Sequence, residues 1–191
     1  MPSSGRSPWL ARAARVAAII WTVVVLVTHS DAGVSFPMWM AIYGAAVVVF
    51  LWWVIGVSVA CAIAMKEGTG VARAFRAWSA VPALMLAAEL LVWSNLPLET
   101  RLFLSGPALA QSADWFRSLP EDYARETRPW IGLFRVREFS QFGDELRFLT
   151  TECGLVDNCG LVFSPSGPPP NRGEDSFEHL YGPWYHWHQS W

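Results

Sequence analysis

Charge is scarce in this chain. Asp, Glu, Lys and Arg supply 16% of its 191 residues, against roughly 25% in an ordinary soluble domain. Apolar residues supply 53% and the mean hydropathy is +0.27, which excludes a disordered chain, since disorder needs low hydrophobicity and high charge. Three cysteines are too few for a disulfide-dense scaffold. A net charge of −2 and a pI near 6.1 give no general case for nucleic acid binding, which needs a basic stripe. Missing too are G-x-S-x-G, a phosphate loop, H-E-x-x-H and a dinucleotide fingerprint, so no standard catalytic signature is present. There is no internal repeat. Lysine is nearly absent: Lys66 stands alone among 14 basic residues, and with abundant Ala, Gly, Pro and Trp this points to a GC-rich bacterial source.

What is present is unevenly placed. Residues 1–97 carry 6 basic and 3 acidic side chains, and residues 98–191 carry 8 and 13. The sequence therefore divides into a transmembrane domain, 1–97, and an extracytoplasmic α+β domain, 98–191. Three apolar runs predict spans over about 10–28, 37–65 and 78–96. The middle run is long enough to tilt or project from the bilayer. The first run has a rival reading as a cleavable signal peptide, with Arg6, Arg12 and Arg15 as its basic start and Ser30-Asp31-Ala32 as small residues near a cleavage site.

Orientation follows from the Arg/Lys bias of short loops. Arg6, Arg12 and Arg15 precede the first span, and Lys66, Arg73 and Arg76 lie between the second and third. Residues 29–36, between the first and second, hold neither Lys nor Arg. The expectation is a multi-pass plasma-membrane protein with a cytoplasmic N-terminus and its C-terminal domain outside. Small residues spaced four apart suit close helix packing, and Gly56, Ala60 and Ala64 make one such line, Ala41 and Ala45 a shorter one, and Ala83 and Ala87 another. Either the bundle itself or another membrane subunit takes those faces. Glu89 is the one charge inside the third span. A carboxylate there costs a few kcal/mol unless it is neutral or paired. In-chain candidates for it are the hydroxyls of Thr22, Tyr43 and Ser58.

After Leu96-Pro97 the composition changes. Leu98 to Leu104 reads as an amphipathic link lying on the leaflet. A helix is predicted over about 106–119, capped by Ser105 with Pro107 in its first turn. Strands are predicted over about 130–139, 145–151, 160–164, 176–180 and 184–189, with a Pro-rich loop at 164–175. So small a domain is marginal alone, and a disulfide between Cys153 and Cys159 is expected outside the cell. Cys61, in mid-span, reads as an inert packing residue. His179, His186 and His188 are the one set resembling ligands, for zinc or copper.

The function these features favour is non-catalytic. The chain reads as an accessory or assembly subunit of a larger membrane complex, or an envelope interaction protein, with membrane lipids and other membrane subunits as partners. The alternatives are an outer-leaflet enzyme or metal binder built on His179, His186 and His188, and a sensor or transport element acting through Glu89.

Overall fold

The computed structural model describes residues 6–68, 70–118, 130–153 and 157–190. Five helices come first: α1 (Arg6–His29), α2 (Phe36–Lys66), α3 (Val71–Trp78), α4 (Ala80–Trp93) and α5 (Leu96–Arg117). Seven strands follow: β1 (Trp130–Ile131), β2 (Phe134–Arg135), β3 (Glu138–Phe142), β4 (Glu145–Cys153), β5 (Asp157–Phe163), β6 (Asp175–Tyr181) and β7 (Trp184–Gln189). Among the described residues three segments are long and apolar enough to cross a membrane: Trp9–His29, Phe36–Lys66 and Val71–Trp93. A small antiparallel sheet domain follows them. The chain forms two compact units, Met1–Leu26 with Met40–Ser94, and Val27–Trp39 with Asn95–Trp191. The link between α1 and α2 thus belongs to the sheet unit.

The helical unit is sewn together by small residues. Ala11, Ala14 and Ala18 are buried on α1, and Trp21 and Val25 continue the line. These positions alternate three and four apart, the spacing that keeps one face toward a neighbouring helix. Trp21 Nε1 donates to the Ile42 carbonyl at 3.0 Å. On α2, Gly56 is a notch: a Cβ there would collide with the Trp78 ring.

The third span is broken at Ser79, between α3 and α4. Pro82 has no N–H, so the Trp78 carbonyl four residues earlier loses its helical donor. Trp53 Nε1 replaces that donor at 2.9 Å. Inside lipid an unsatisfied carbonyl is costly, which gives this tryptophan a structural task. The span ends at Trp93 rather than Leu96, because Asn95 takes a left-handed φ of 54° and Pro97 sits in the first turn of α5.

In the sheet unit the strand order is β3-β4-β5-β7-β6, antiparallel throughout, and β1-β2 form a separate two-stranded ladder. Helix α5 corrects the sequence reading. It runs unbroken through Pro107 instead of starting there, and its last residue is Arg117. Leu98 and Leu102, expected on a surface link, are core residues with Leu109, Ala113 and Phe116. Burying a large apolar side chain gains about 1.5–3 kcal/mol, enough to offset one backbone bond lost at Pro107. Ser105 is not a cap: it is fully buried, and its Oγ accepts from the Leu133 N–H at 3.0 Å.

The predicted strand over 130–139 is also divided. Gly132 turns it back with a φ of 59°, and a Cβ there would come within 2.6 Å of the Ser105 Cβ. Phe116 meets Phe139 at 4.3 Å and Phe148 at 5.5 Å between ring centroids, so α5 is pinned to β3 and β4. A bulge between Leu149 and Thr151 brings the Phe148 carbonyl so close to Gly160 that a side chain there would collide with it.

Candidate functional site

The His set does not converge. His186 pairs in register with Leu161 and Glu178, whereas His179 pairs with Tyr185, the next residue along β7. Successive strand residues point to opposite faces, so His179 is turned away from His186 and His188. Each ring has a local task. His179 Nε2 lies 2.9 Å from the Gly182 carbonyl within its own hairpin. His186 Nε2 lies 2.9 Å from the Ala32 carbonyl, and His188 Nε2 lies 3.3 Å from an Asp157 oxygen. Among the described residues no three metal-ligating side chains come together, so the set proposed for zinc or copper is dispersed by the register of β6 on β7.

The residues around Ala32 explain the fate of the loop at 29–36. Ala32 is buried in the sheet unit's core. Asp31 pairs with Arg101 of α5 at 3.5 Å, Ser30 Oγ accepts from Arg101 Nη1 at 3.3 Å, and the same guanidinium donates through Nη2 to the Leu133 carbonyl at 2.6 Å. One arginine thus joins the inter-span loop, α5 and the β1-β2 turn.

The sheet face opposite α5 holds a group that sequence reasoning did not single out. Arg147 is 4% exposed. Its Nη1 donates to Asp175 Oδ2 at 2.7 Å, and the other Asp175 oxygen accepts from Trp187 Nε1 at 3.0 Å. Three rings cage the guanidinium carbon: Phe142 at 4.8 Å, Phe177 at 5.2 Å and Trp187 at 5.3 Å. Phe142 and Phe177 come from the two edge strands, so the sheet curls until both edges reach one side chain. Glu145 lies 3.8 Å from Arg147 and 3.7 Å from Arg172, which keeps the cluster near neutrality. The sequence signal was the alternation Glu145-Leu146-Arg147-Phe148, which reads as a half-solvated strand and hides that its polar face is covered.

Beside Arg147 is a cavity of about 150 Å³, with Leu149 and Trp187 as apolar walls and Glu138, Ser140, Asn158 and Gln189 as polar ones. Its size admits a few waters.

The intramembrane residues are placed as follows. Glu89 is half-buried, and Tyr43 Oη donates to its Oε2 at 3.4 Å, a long contact. Of the other candidates, Ser58 is exposed, and the buried Thr22 hydroxyl has no hydrogen-bond partner among the described residues. Gly56, Ala60 and Ala64 lie on the packed side of α2, whereas Ala83 and Ala87 are exposed on α4 and Ala88 is buried instead. The helical unit's alanine seam is the one on α1, which sequence reasoning passed over. Cys61 is a free thiol. The expected disulfide falls partly outside the described residues, because the Cys153 side chain is among those left out; Cys159 is buried and has a partner. No protein-family model, curated protein or solved structure matches the chain.

Proposed function

We propose that this chain is a non-catalytic accessory or assembly subunit of a larger plasma-membrane complex. Its N-terminus is cytoplasmic and its sheet unit is outside. Glu89 carries the reading. It lies within a candidate span, yet it is only partly buried and the one hydrogen bond it makes among the described residues, to Tyr43, is long. A carboxylate in that setting gains most from a polar group supplied by another membrane protein. The exposed small residues Ala83 and Ala87 leave room on α4 for a second helix to approach closely.

The orientation rests on the basic residues at 6–15 and 66–76, against none at 29–36. It is supported by the packing of residues 27–39 with 95–191, since a loop and a domain in one unit share a side of the membrane. Retention of the first span is supported by Ala11, Ala14 and Ala18, whose burial builds α1 into the helical core. A Cys153–Cys159 disulfide suits the hairpin, where Cys153 is opposite Asp157 and Cys159 opposite Thr151.

The experiment is purification from native membrane in mild detergent, comparing the parent with Glu89→Gln and Glu89→Leu. A defined membrane protein should copurify with the parent, and Glu89→Leu should lose it. If all three chains purify alone from membranes in which they are stably folded, the accessory reading is overturned.

A further inference from the structure

Helix α5 has a second face that the sheet does not use. Leu98, Leu102, Leu109, Ala113 and Phe116 point into the core. On the opposite side Leu96, Thr100, Phe103, Leu104, Pro107 and Ala110 are exposed, and none carries a charge. Phe103 is 68% exposed and Leu104 64%. Single exposed apolar residues are ordinary, but four uncharged turns on one face of a helix in an otherwise acidic domain are not.

Connectivity says what lies nearby. The third candidate span ends at Trp93 and α5 begins at Leu96, so the start of α5 is held within about 10 Å of the end of the span. A second tether acts further along. Asp31, two residues beyond the end of α1, holds Arg101 at 3.5 Å. The turn of α5 just before Phe103 is therefore tied to a loop that joins two spans.

We infer that the outward face of α5 lies in the interfacial layer of the bilayer, with Phe103 and Leu104 set against lipid. An amphipathic helix in this position buries its apolar side several ångströms into the headgroup and acyl boundary. The sheet unit is then seated on the membrane along α5 as well as joined to it by the chain. This inference rests on the three helices being spans, and not on the accessory-subunit reading.

The test uses the full chain in phosphatidylcholine and phosphatidylglycerol vesicles, in a Cys61→Ser background whose own labelling is the blank. A nitroxide is placed at Leu104→Cys, or at Glu174→Cys on an exposed turn of the sheet unit. Both positions are on the surface, so neither substitution threatens folding. Collision with oxygen relative to a water-soluble nickel chelate should be several-fold higher at 104 than at 174. Equal ratios at the two positions overturn the inference. Low collision with both reagents at 104, the mark of a second copy covering the face, overturns it as well. Because the vesicles hold this protein alone, the result does not depend on whether a partner subunit exists.

Discussion

Trp53 and Pro82 should be energetically coupled across two helices. Pro82 deprives the Trp78 carbonyl of its helical donor, and Trp53 Nε1 donates to that carbonyl at 2.9 Å. Trp53→Phe removes the donor and keeps an aromatic ring. An orphaned buried carbonyl costs about 1–3 kcal/mol, although hydrogen bonds between membrane helices average nearer 0.6 kcal/mol, so a loss of about 1–2 kcal/mol is expected. Pro82→Ala returns an N–H to the position facing Trp78. The backbone there is already helical, since the Ala83 N–H bonds the Ser79 carbonyl at 3.3 Å. In that background Trp53→Phe should cost only the change in ring size. The packing loss is common to both backgrounds and cancels in the cycle, leaving a coupling of about 1 kcal/mol. Unfolding of the reconstituted chain by denaturing detergent, followed for the parent, both single variants and the double variant, measures it. If Trp53→Phe costs the same with Pro82 as with Ala at that position, the carbonyl is not being rescued and the argument fails.

Other expectations follow from single features. Arg147→Met strands Asp175 and Glu145 in a covered cluster and should destabilise the sheet unit by about 3–5 kcal/mol in a thermal or denaturant melt. Adding Asp175→Asn should recover part of that loss; a cost near zero for Arg147→Met would mean the cluster is solvated. Alkaline phosphatase fused after Gln111 should be active and fused after Thr69 inactive, and the reverse pattern would invert the proposed topology. Thiol labelling of Cys153 and Cys159 should require prior reduction, and closing so short a loop should add roughly 2–3 kcal/mol. Free thiols at both positions in native membrane would remove the disulfide.

How far the sequence could be read depended on whether the signal was local. Spans are a matter of uninterrupted apolar length, so the existence of all three was legible, though the third begins at Val71 and not near 78; so was β7 at Trp184–Gln189, from the alternation Tyr185-His186-Trp187-His188. Helix α5 was misjudged because Ser105-Gly106-Pro107 carries every local mark of a helix start. Those marks describe what a short peptide prefers. They do not register the burial of Leu98 and Leu102 against Ile131, Phe134 and the sheet that follows, far along the chain, or the Leu133 N–H waiting for Ser105.

The site residues divide the same way. Spacing alone placed Gly56, Ala60 and Ala64 on a packed face, but Ala83 and Ala87 have the same spacing and face outward. Small residues four apart permit close approach; only the neighbouring helix decides which line is used, and α1 supplied its own at Ala11, Ala14 and Ala18. His179, His186 and His188 are close in sequence, yet the register across the β6–β7 turn sets His179 on the other side of the sheet. Composition and run length determined that the described residues hold three helices long and apolar enough to cross a membrane, followed by a sheet domain, because those properties need no partner. Which face of each element is buried, and hence the caged Arg147 and the free side of α5, waited on tertiary structure, because burial is a relation between segments far apart in the chain.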